Sequence, residues 1–223
     1  MTPELEVLPD ADAVARRAAE IVASAVREAV RARGRCTFAV SGGRTPWAMF
    51  RELATEDLPW KEVGIWQVDE RIAPDGDPDR NLTELEPILP RDAELHPMPV
   101  TEDDLEAAAE RYAASLPETF DLIHLGMGDD GHTASLVPGD HVLDVTDRDV
   151  ALTGGYRGRR RMTLTYRVLD RAHRVLWLIT GVDKSPMLSR LLVGDPSIPA
   201  GRVSAPEQLV IADVAVAGER GPS

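Results

Sequence analysis

The sequence has one cysteine, no long apolar run and no basic leader, and each shortage excludes a class of protein. Cys36 is the single cysteine, so an internal disulfide is excluded and a reducing cytoplasm is the expected location. No apolar run approaches the roughly 20 residues that a membrane-spanning helix needs, so we expect no membrane partner. The chain begins MTPELEVLPD, with acidic side chains where an export signal carries basic ones, and we therefore predict no export signal.

Positive charge is also scarce. The 25 Lys and Arg residues face 38 Asp and Glu residues, which gives a formal net charge of −13 at pH 7. This charge disfavours nucleic acid and anionic membrane surfaces as partners, and we predict neither. A small anionic ligand could still bind, provided that basic side chains are gathered at its site. Lys61 and Lys184 are the two lysines, and Lys61 beside Glu62 is adequately explained as a solvated surface charge.

The sequence does contain a regular alternation of strand and helix patterns. Apolar runs at 36–40 and 121–125 predict buried strands, and the helical spacing of apolar residues predicts a helix over 10–33. Further strands are predicted near 150–153 and 162–165. The alternation indicates an α/β fold with a doubly wound, mostly parallel sheet flanked by helices.

No linker is long or biased enough to divide the chain. We therefore predict a single domain over residues 1–223, with its core at about 5–212. Residues 213–223 are expected to form a loosely ordered tail.

The segment Gly126–Pro138, GMGDDGHTASLVP, follows one of these predicted strands directly. Glycines there allow the backbone to approach a ligand closely. The loop places Asp130 and His132 at the carboxyl edge of the sheet, where ligands bind in open α/β folds. We interpret both as catalytic candidates, although a lone histidine is often structural. His124 lies within the apolar run and is expected to be a satisfied core residue.

A glycine-rich turn, Ser41-Gly42-Gly43-Arg44-Thr45-Pro46, lies between a predicted strand and a helix. Free backbone N–H groups and the positive end of the helix dipole make such a turn suitable for phosphate. The alternative is a tight turn with Thr45 as the helix N-cap. The spacing of a Walker A loop is absent.

Two further strand ends carry charge. Asp69, Glu70 and Arg71 follow an apolar strand, so all three are expected to emerge from the sheet rather than enter the core. Arg71 is suited to bind phosphate oxygens and Asp69 to position substrate or water, although a solvated turn explains the same pattern. Lys184 begins a predicted helix, where a cation suggests a bound anion or a solvated charge.

The sequence therefore contains four motifs, in this order: the Ser41–Pro46 turn, Asp69–Arg71, Gly126–Gly139 and Gly181–Lys184. Together they resemble the 6-phosphogluconolactonase family over about residues 5–212. The resemblance implies a Rossmann-like α/β fold, shared with glucosamine-6-phosphate deaminases, and an enzyme that needs no cofactor and no metal.

For function, the resemblance implies hydrolysis of 6-phospho-D-glucono-1,5-lactone to 6-phospho-D-gluconate in the oxidative pentose phosphate pathway. Imidazole titrates near neutral pH, so His132 is expected to deprotonate the attacking water while Asp130 orients the ring. The partner is a small sugar-phosphate lactone, and the enzyme is expected to be a monomer or a small homo-oligomer.

The substrate-binding residues follow from the same resemblance. The Ser41–Thr45 turn (Ser41, Gly42, Gly43, Arg44 and Thr45), Arg71 and Lys184 are expected to hold the phosphate. Asp69 and the glycine loop at Gly128 are expected to contact the rest of the substrate, with backbone N–H groups stabilising the oxyanion.

Two alternatives remain. Deaminases of this superfamily resemble Asp-Glu-Tyr at the second motif, where this chain has Arg71, and they carry a glutamate where this chain has Val137, five residues after His132. The deaminase proton relay is therefore incomplete here. A sugar-phosphate-binding module without catalysis is the other alternative, and such modules usually carry a DNA-binding domain that this chain has no room for.

The chain also departs from the family pattern at three places. Asp129 replaces a frequent proline, Arg80 a frequent serine before Asn81, and Tyr156–Arg161 a segment usually rich in lysine and proline. The cluster of Arg157, Arg159, Arg160 and Arg161 either adds positive field to the site or is solvated, and the sequence does not decide between these, nor does it assign Arg80.

Overall fold

The structure, a computed structural model, describes residues 2–218 and contains a parallel sheet with a small antiparallel one beside it. The strands are β1 (Glu4–Leu8), β2 (Cys36–Val40), β3 (Val63–Gln67), β4 (Asp69–Arg71), β5 (Glu94–His96), β6 (Leu122–Leu125), β7 (Val150–Leu152), β8 (Arg161–Leu164), β9 (Arg174–Ile179) and β10 (Gln208–Asp213). Seven form the parallel sheet, in the order β1-β10-β9-β6-β2-β3-β5.

Helices cover both faces of this sheet. They are α1 (Ala11–Arg33), α2 (Arg44–Leu53), α3 (Asn81–Leu85), α4 (Leu105–Ser115), α5 (Tyr166–Leu169), α6 (Ser185–Leu192) and α7 (Val214–Ala217). One apolar core lies under α1 and α2, and a second lies under α4, α6, α7 and the small sheet. The predicted α/β fold, with a mostly parallel sheet flanked by helices in one domain, is confirmed. No helix between residues 2 and 218 is long and apolar enough to cross a membrane.

Helix α1 shows why the sequence pattern located these elements. Val14, Val22 and Val26 recur at helical spacing and are almost fully buried, and burial of each stabilises the fold by roughly 1.5–3 kcal/mol. The Asp10 carboxylate accepts a hydrogen bond from the backbone at the helix start, and Gly34 ends the helix with φ 78°.

Strands β4, β8 and β7 form the separate antiparallel sheet. The apolar residues of β7 and β8 resemble those of the parallel strands, so the sequence pattern does not distinguish these two strands from the main sheet. The connection between β7 and β8 does: residues 153–160 are too few for a parallel crossover, which needs about a dozen residues or more.

The prediction of a loose tail from residue 213 is wrong for its first part. Asp213 ends β10 and accepts a hydrogen bond of 2.9 Å from the Val216 N–H, which caps α7. Val216 and Ala217 are buried against the second core. A short apolar segment directly after a strand has enough burial to order itself. Residues 219–223 lie outside the described residues.

Candidate active site

A cavity of about 490 Å³ lies at the carboxyl edge of the parallel sheet. The loops that follow β2, β6 and β9 meet there because parallel strands end at the same edge. The following predicted site residues line it: Ser41, Gly42, Gly43, Arg44, Thr45, Asp69, Arg71, His132 and Lys184. Asn81, Arg161, Thr180 and Asp213 also line it.

The Asp130–His132 pair lies at one end of this cavity. Asp130 Oδ1 is 2.6 Å from His132 Nδ1 and accepts a 3.0 Å hydrogen bond from the His132 backbone N–H. A carboxylate only accepts, so Nδ1 carries the proton and Nε2 is the unprotonated nitrogen. The ring is thereby arranged to accept a proton at Nε2.

The second carboxylate oxygen of Asp130 is also engaged. The Tyr156 hydroxyl donates a hydrogen bond of 2.9 Å to Oδ2. Burial alone would raise the pKa of Asp130, but the hydrogen bonds from His132 and Tyr156 outweigh it, and the pKa lies below its usual value. Asp130 is therefore an anion in the neutral pH range.

Gly128 makes space for the histidine. Its N–H donates to the His132 carbonyl oxygen at 2.9 Å, and a Cβ at this position would overlap His132 Nδ1. Gly128 was predicted to bind substrate, but it does not line the cavity. The structure gives it a packing position behind the imidazole.

The glycine turn after β2 forms a separate part of the cavity lining. Gly43, with φ 137°, is the N-cap of α2, and no side chain caps the helix. The backbone N–H groups of Arg44 and Thr45 in the first turn therefore have no intrahelical partner, and Pro46 carries no N–H group that would need one. Thr45 is not the N-cap, because α2 already begins at Arg44, and its hydroxyl lies 2.8 Å from that of Thr180.

Ser41 is held from behind by a buried histidine. The Ser41 N–H donates to His124 Nδ1 at 3.3 Å, and burial lowers the pKa of His124 to about 3, which keeps it neutral. The prediction of a satisfied core histidine is correct for Nδ1 but not for Nε2, which has no partner among the described residues. The buried Ser41 hydroxyl likewise lacks one.

The three charged residues of β4 differ in their burial and in their hydrogen-bond partners. Glu70 was expected to emerge, but it is fully buried, and its carboxylate accepts hydrogen bonds from Gln67 Nε2 and three backbone N–H groups, each at 2.8 Å. Asp69 is also buried, and it accepts a 2.6 Å hydrogen bond from the Ser135 hydroxyl. Arg71 donates to the Asn81 side chain and to a backbone carbonyl.

Four cations line the cavity: Arg44, Arg71, Arg161 and Lys184. Within residues 2–218 none of them has a carboxylate within ion-pair distance, whereas nearby arginines outside the cavity pair with acids. Lys184 was predicted to begin a helix; it ends a short 3₁₀ turn and is the N-cap of α6, which begins one residue later at Ser185. Burial lowers the pKa of the Arg161 guanidinium, and Asp69 opposes that shift.

The arginines of the β7–β8 connection also differ in whether they line the cavity or pair with acids. Arg161 enters the cavity, whereas Arg159 pairs with Asp77 and Asp79, and Arg157 pairs with Asp129 at 3.0 Å. The departures at Asp129 and Arg157 therefore compensate each other. Within residues 2–218 no group of three or more His, Cys, Asp and Glu side chains is arranged to hold a metal ion.

The family comparison matches residues 9–212, under the description glucosamine-6-phosphate isomerases/6-phosphogluconolactonase. This chain belongs to that family. A curated member from Synechocystis, named 6-phosphogluconolactonase, is 34% identical over 93% of each chain. Among solved structures, a 6-phosphogluconolactonase from Shewanella baltica has a TM-score of 0.86 at 25% identity and covers 95% of this chain and 97% of its own. The 6-phosphogluconolactonase from Thermotoga maritima has a TM-score of 0.84 at 28% identity and covers 95% of this chain and 99% of its own.

The sequence did not single out Asn81, which lines the cavity, or Tyr156, which contacts the Asp130–His132 pair, and it left the position of Arg161 open. Arg80 is buried and does not line the cavity; it pairs with Asp75 and lies 3.9 Å from Glu70. Asn81 follows a charged, turn-rich segment, and a polar residue directly before a short helix was the available signal. No local pattern indicated Tyr156, because its contacts are 24 and 26 residues away in the chain.

Proposed function

We propose that this chain hydrolyses 6-phospho-D-glucono-1,5-lactone to 6-phospho-D-gluconate in the oxidative pentose phosphate pathway. One observation carries the proposal. In a chain of net charge −13, one cavity joins a histidine with an unprotonated Nε2 to four cations that have no carboxylate within ion-pair distance in residues 2–218. The names of the curated relatives support the same reaction.

In the proposed mechanism His132 Nε2 accepts a proton from water while the water oxygen bonds to the lactone carbonyl carbon. The resulting oxyanion is stabilised by backbone N–H groups and by the cations of the cavity. Its collapse breaks the bond from that carbon to the ring oxygen, which leaves as a hydroxyl after protonation. General base assistance of this kind contributes roughly 10²- to 10⁴-fold. The chemistry uses only water and side chains, because a δ-lactone is an activated ester.

The substrate phosphate is assigned to the far end of the cavity. The open N–H groups at the start of α2, the unpartnered Ser41 hydroxyl and the cations Arg71 and Lys184 suit a dianion. Asp69, held by Ser135, is assigned to a substrate hydroxyl or the water. Gly128 is assigned to support of His132 instead of to substrate.

The deaminase alternative is disfavoured by the residue at position 137. Val137 is buried, and among the described residues the carboxylate that pairs with His132 is Asp130, not a residue at position 137 as in deaminases. A non-catalytic binding module is disfavoured by the ordered Asp130–His132 pair, which phosphate binding does not require. We also assign the enzyme to the cytoplasm, as a monomer or small homo-oligomer without a nucleic-acid partner.

The test is a coupled assay of freshly generated phosphogluconolactone on wild type and His132→Ala, with the spontaneous ring opening subtracted. We expect wild type to hydrolyse the lactone and the variant to lose at least tenfold in kcat with its thermal unfolding unchanged. Ammonia release from glucosamine 6-phosphate would favour the deaminase. Saturable phosphogluconate binding without hydrolysis would favour the binding module.

A further inference from the structure

The hairpin that joins β7 and β8 carries Tyr156 to the His132 ring. Its tip is Arg157-Gly158, with φ values of 48° and 80°, and both residues are left-handed as a type I′ turn requires. Tyr156 and Arg159 exchange backbone hydrogen bonds of 2.9 and 3.2 Å across this tip. The position of the tyrosine is therefore set by a regular hairpin.

The tyrosine hydroxyl contacts the catalytic pair directly. It donates to Asp130 Oδ2 at 2.9 Å and lies 3.4 Å from His132 Nδ1. Burial, together with the neighbouring Asp130 carboxylate, raises the pKa of the Tyr156 phenol, so the hydroxyl keeps its proton. It is a permanent donor to the carboxylate that orients the imidazole.

The tyrosine ring makes a second, separate set of contacts. It packs edge-on against His132, with ring centroids 5.3 Å apart at 63°. The Arg161 and Arg157 guanidiniums lie 5.0 and 5.2 Å from its centroid. Arg161 is buried and lines the cavity; its Nη1 donates to the Ser135 hydroxyl at 3.4 Å and its Nε has no partner among the described residues, so the ring is one of two contacts that support this cation.

We propose that Tyr156 is a positioning residue that orients the Asp130–His132 pair through its hydroxyl and holds Arg161 in the cavity through its ring. The proposal rests on the proposed lactonase function. It links the Asp130–His132 pair to one of the cavity cations through one side chain, and it assigns a role to a segment that departs from the family pattern.

The two contacts predict separable effects. Tyr156→Phe removes the hydroxyl and keeps the ring, so kcat is expected to fall about three- to tenfold with little change in KM. Tyr156→Leu removes both, so KM for the phosphorylated lactone is expected to rise as well, by about threefold or more.

Tyr166 offers a matched control. Its hydroxyl donates to the Pro199 carbonyl at 2.9 Å and Arg202 lies 4.8 Å from its ring centroid, but it does not line the cavity. Tyr166→Phe therefore removes a similar hydroxyl from a similar setting. It is expected to leave kcat and KM unchanged, whatever it does to stability.

The pH profile separates positioning from general packing. Without the tyrosine donor, Asp130 interacts more strongly with the protonated imidazole. The acid limb of kcat/KM in Tyr156→Phe is then expected to move up by about half a pH unit. Asp129, Arg157 and Arg161, the other charged groups around Tyr156, are the same in wild type and variant, so the movement reports the hydroxyl.

Nitrogen NMR of the histidine ring gives a readout without activity. Wild type is expected to show His132 protonated at Nδ1, and Tyr156→Phe to show the signal of that Nδ1 proton further downfield, because Asp130 accepts more strongly once the tyrosine donor is gone. An inactive wild type would overturn the lactonase function, and this spectrum would still test the role of Tyr156. An active wild type whose Tyr156→Phe variant has unchanged kcat, acid limb and Nδ1 proton shift would overturn the hydroxyl role alone. Equal KM in Tyr156→Phe and Tyr156→Leu would overturn the ring role.

Discussion

The two ends of the cavity differ in how completely their polar groups are paired. At the histidine end, both oxygens of Asp130 accept hydrogen bonds and His132 Nδ1 is engaged, so only Nε2 is left over. At the end proposed to bind phosphate, Arg44 and Lys184 lack carboxylate partners in the described chain, and the Ser41 hydroxyl is unpaired there.

This difference separates two tasks. A general base must be held in one orientation before substrate arrives, because misplacement by about 1 Å can cost a hundredfold in rate. A binding site gains more affinity from groups that are unpaired in the free enzyme, since unsatisfied donors and uncompensated cations become paired only when an anion binds. Mutations at the two ends should therefore act on different kinetic constants.

The largest expected effect comes from disordering the paired end. In Gly128→Ala the new methyl group would overlap His132 Nδ1, and the ring must turn away from Asp130. We expect kcat to fall about 100-fold, the lower range of a general base contribution. The measurement is steady-state kinetics beside thermal unfolding.

Gly155→Ala is the control, because a Cβ there meets nothing within 4 Å. It should retain wild-type kcat. A Gly128→Ala enzyme with normal kcat would show that the tight approach of glycine and imidazole is not needed, and the contrast between the two ends would disappear.

The loops illustrate how much of this site is predictable from sequence. The Asp130–His132 contact spans two residues of a glycine-rich loop, and the Ser41–Pro46 turn joins one strand to the next helix, so local pattern located both. Parallel strand order then brought them together at one edge, which an α/β interpretation already implies.

The missed features depend on contacts distant in the chain. Glu70 belongs to a charged triplet, and no local pattern shows that four N–H groups donate hydrogen bonds to its buried carboxylate. Tyr156 and Arg161 enter the site through antiparallel pairing of β8 with β4 and β7, which the sequence did not separate from the main sheet.

An intermediate effect is expected at the unpaired end. Lys184→Ala should raise KM for the phosphorylated lactone about tenfold, because it removes one charge-assisted contact to phosphate, and leave kcat nearly unchanged. Glucono-1,5-lactone, which has no phosphate, should be hydrolysed equally by variant and wild type.

Lys61→Ala is the natural comparison, since Lys61 is the other lysine and lies exposed away from the cavity. It should behave as wild type with both lactones. An unaltered KM in Lys184→Ala, or an equal rise with the unphosphorylated lactone, would remove Lys184 from the phosphate site.

The smallest effect concerns two buried serines that differ only in pairing. The Ser41 hydroxyl has no partner among the described residues, whereas the Ser135 hydroxyl donates to Asp69 at 2.6 Å. Ser41→Ala should therefore leave the free energy of unfolding unchanged and weaken 6-phosphogluconate binding about threefold. Ser135→Ala should lower the free energy of unfolding by roughly 1–3 kcal/mol, because Asp69 loses a hydrogen-bond donor. Urea unfolding with and without 6-phosphogluconate measures both. If Ser41→Ala destabilises the free enzyme as much as Ser135→Ala does, the Ser41 hydroxyl has a partner within the protein and is not waiting for a ligand.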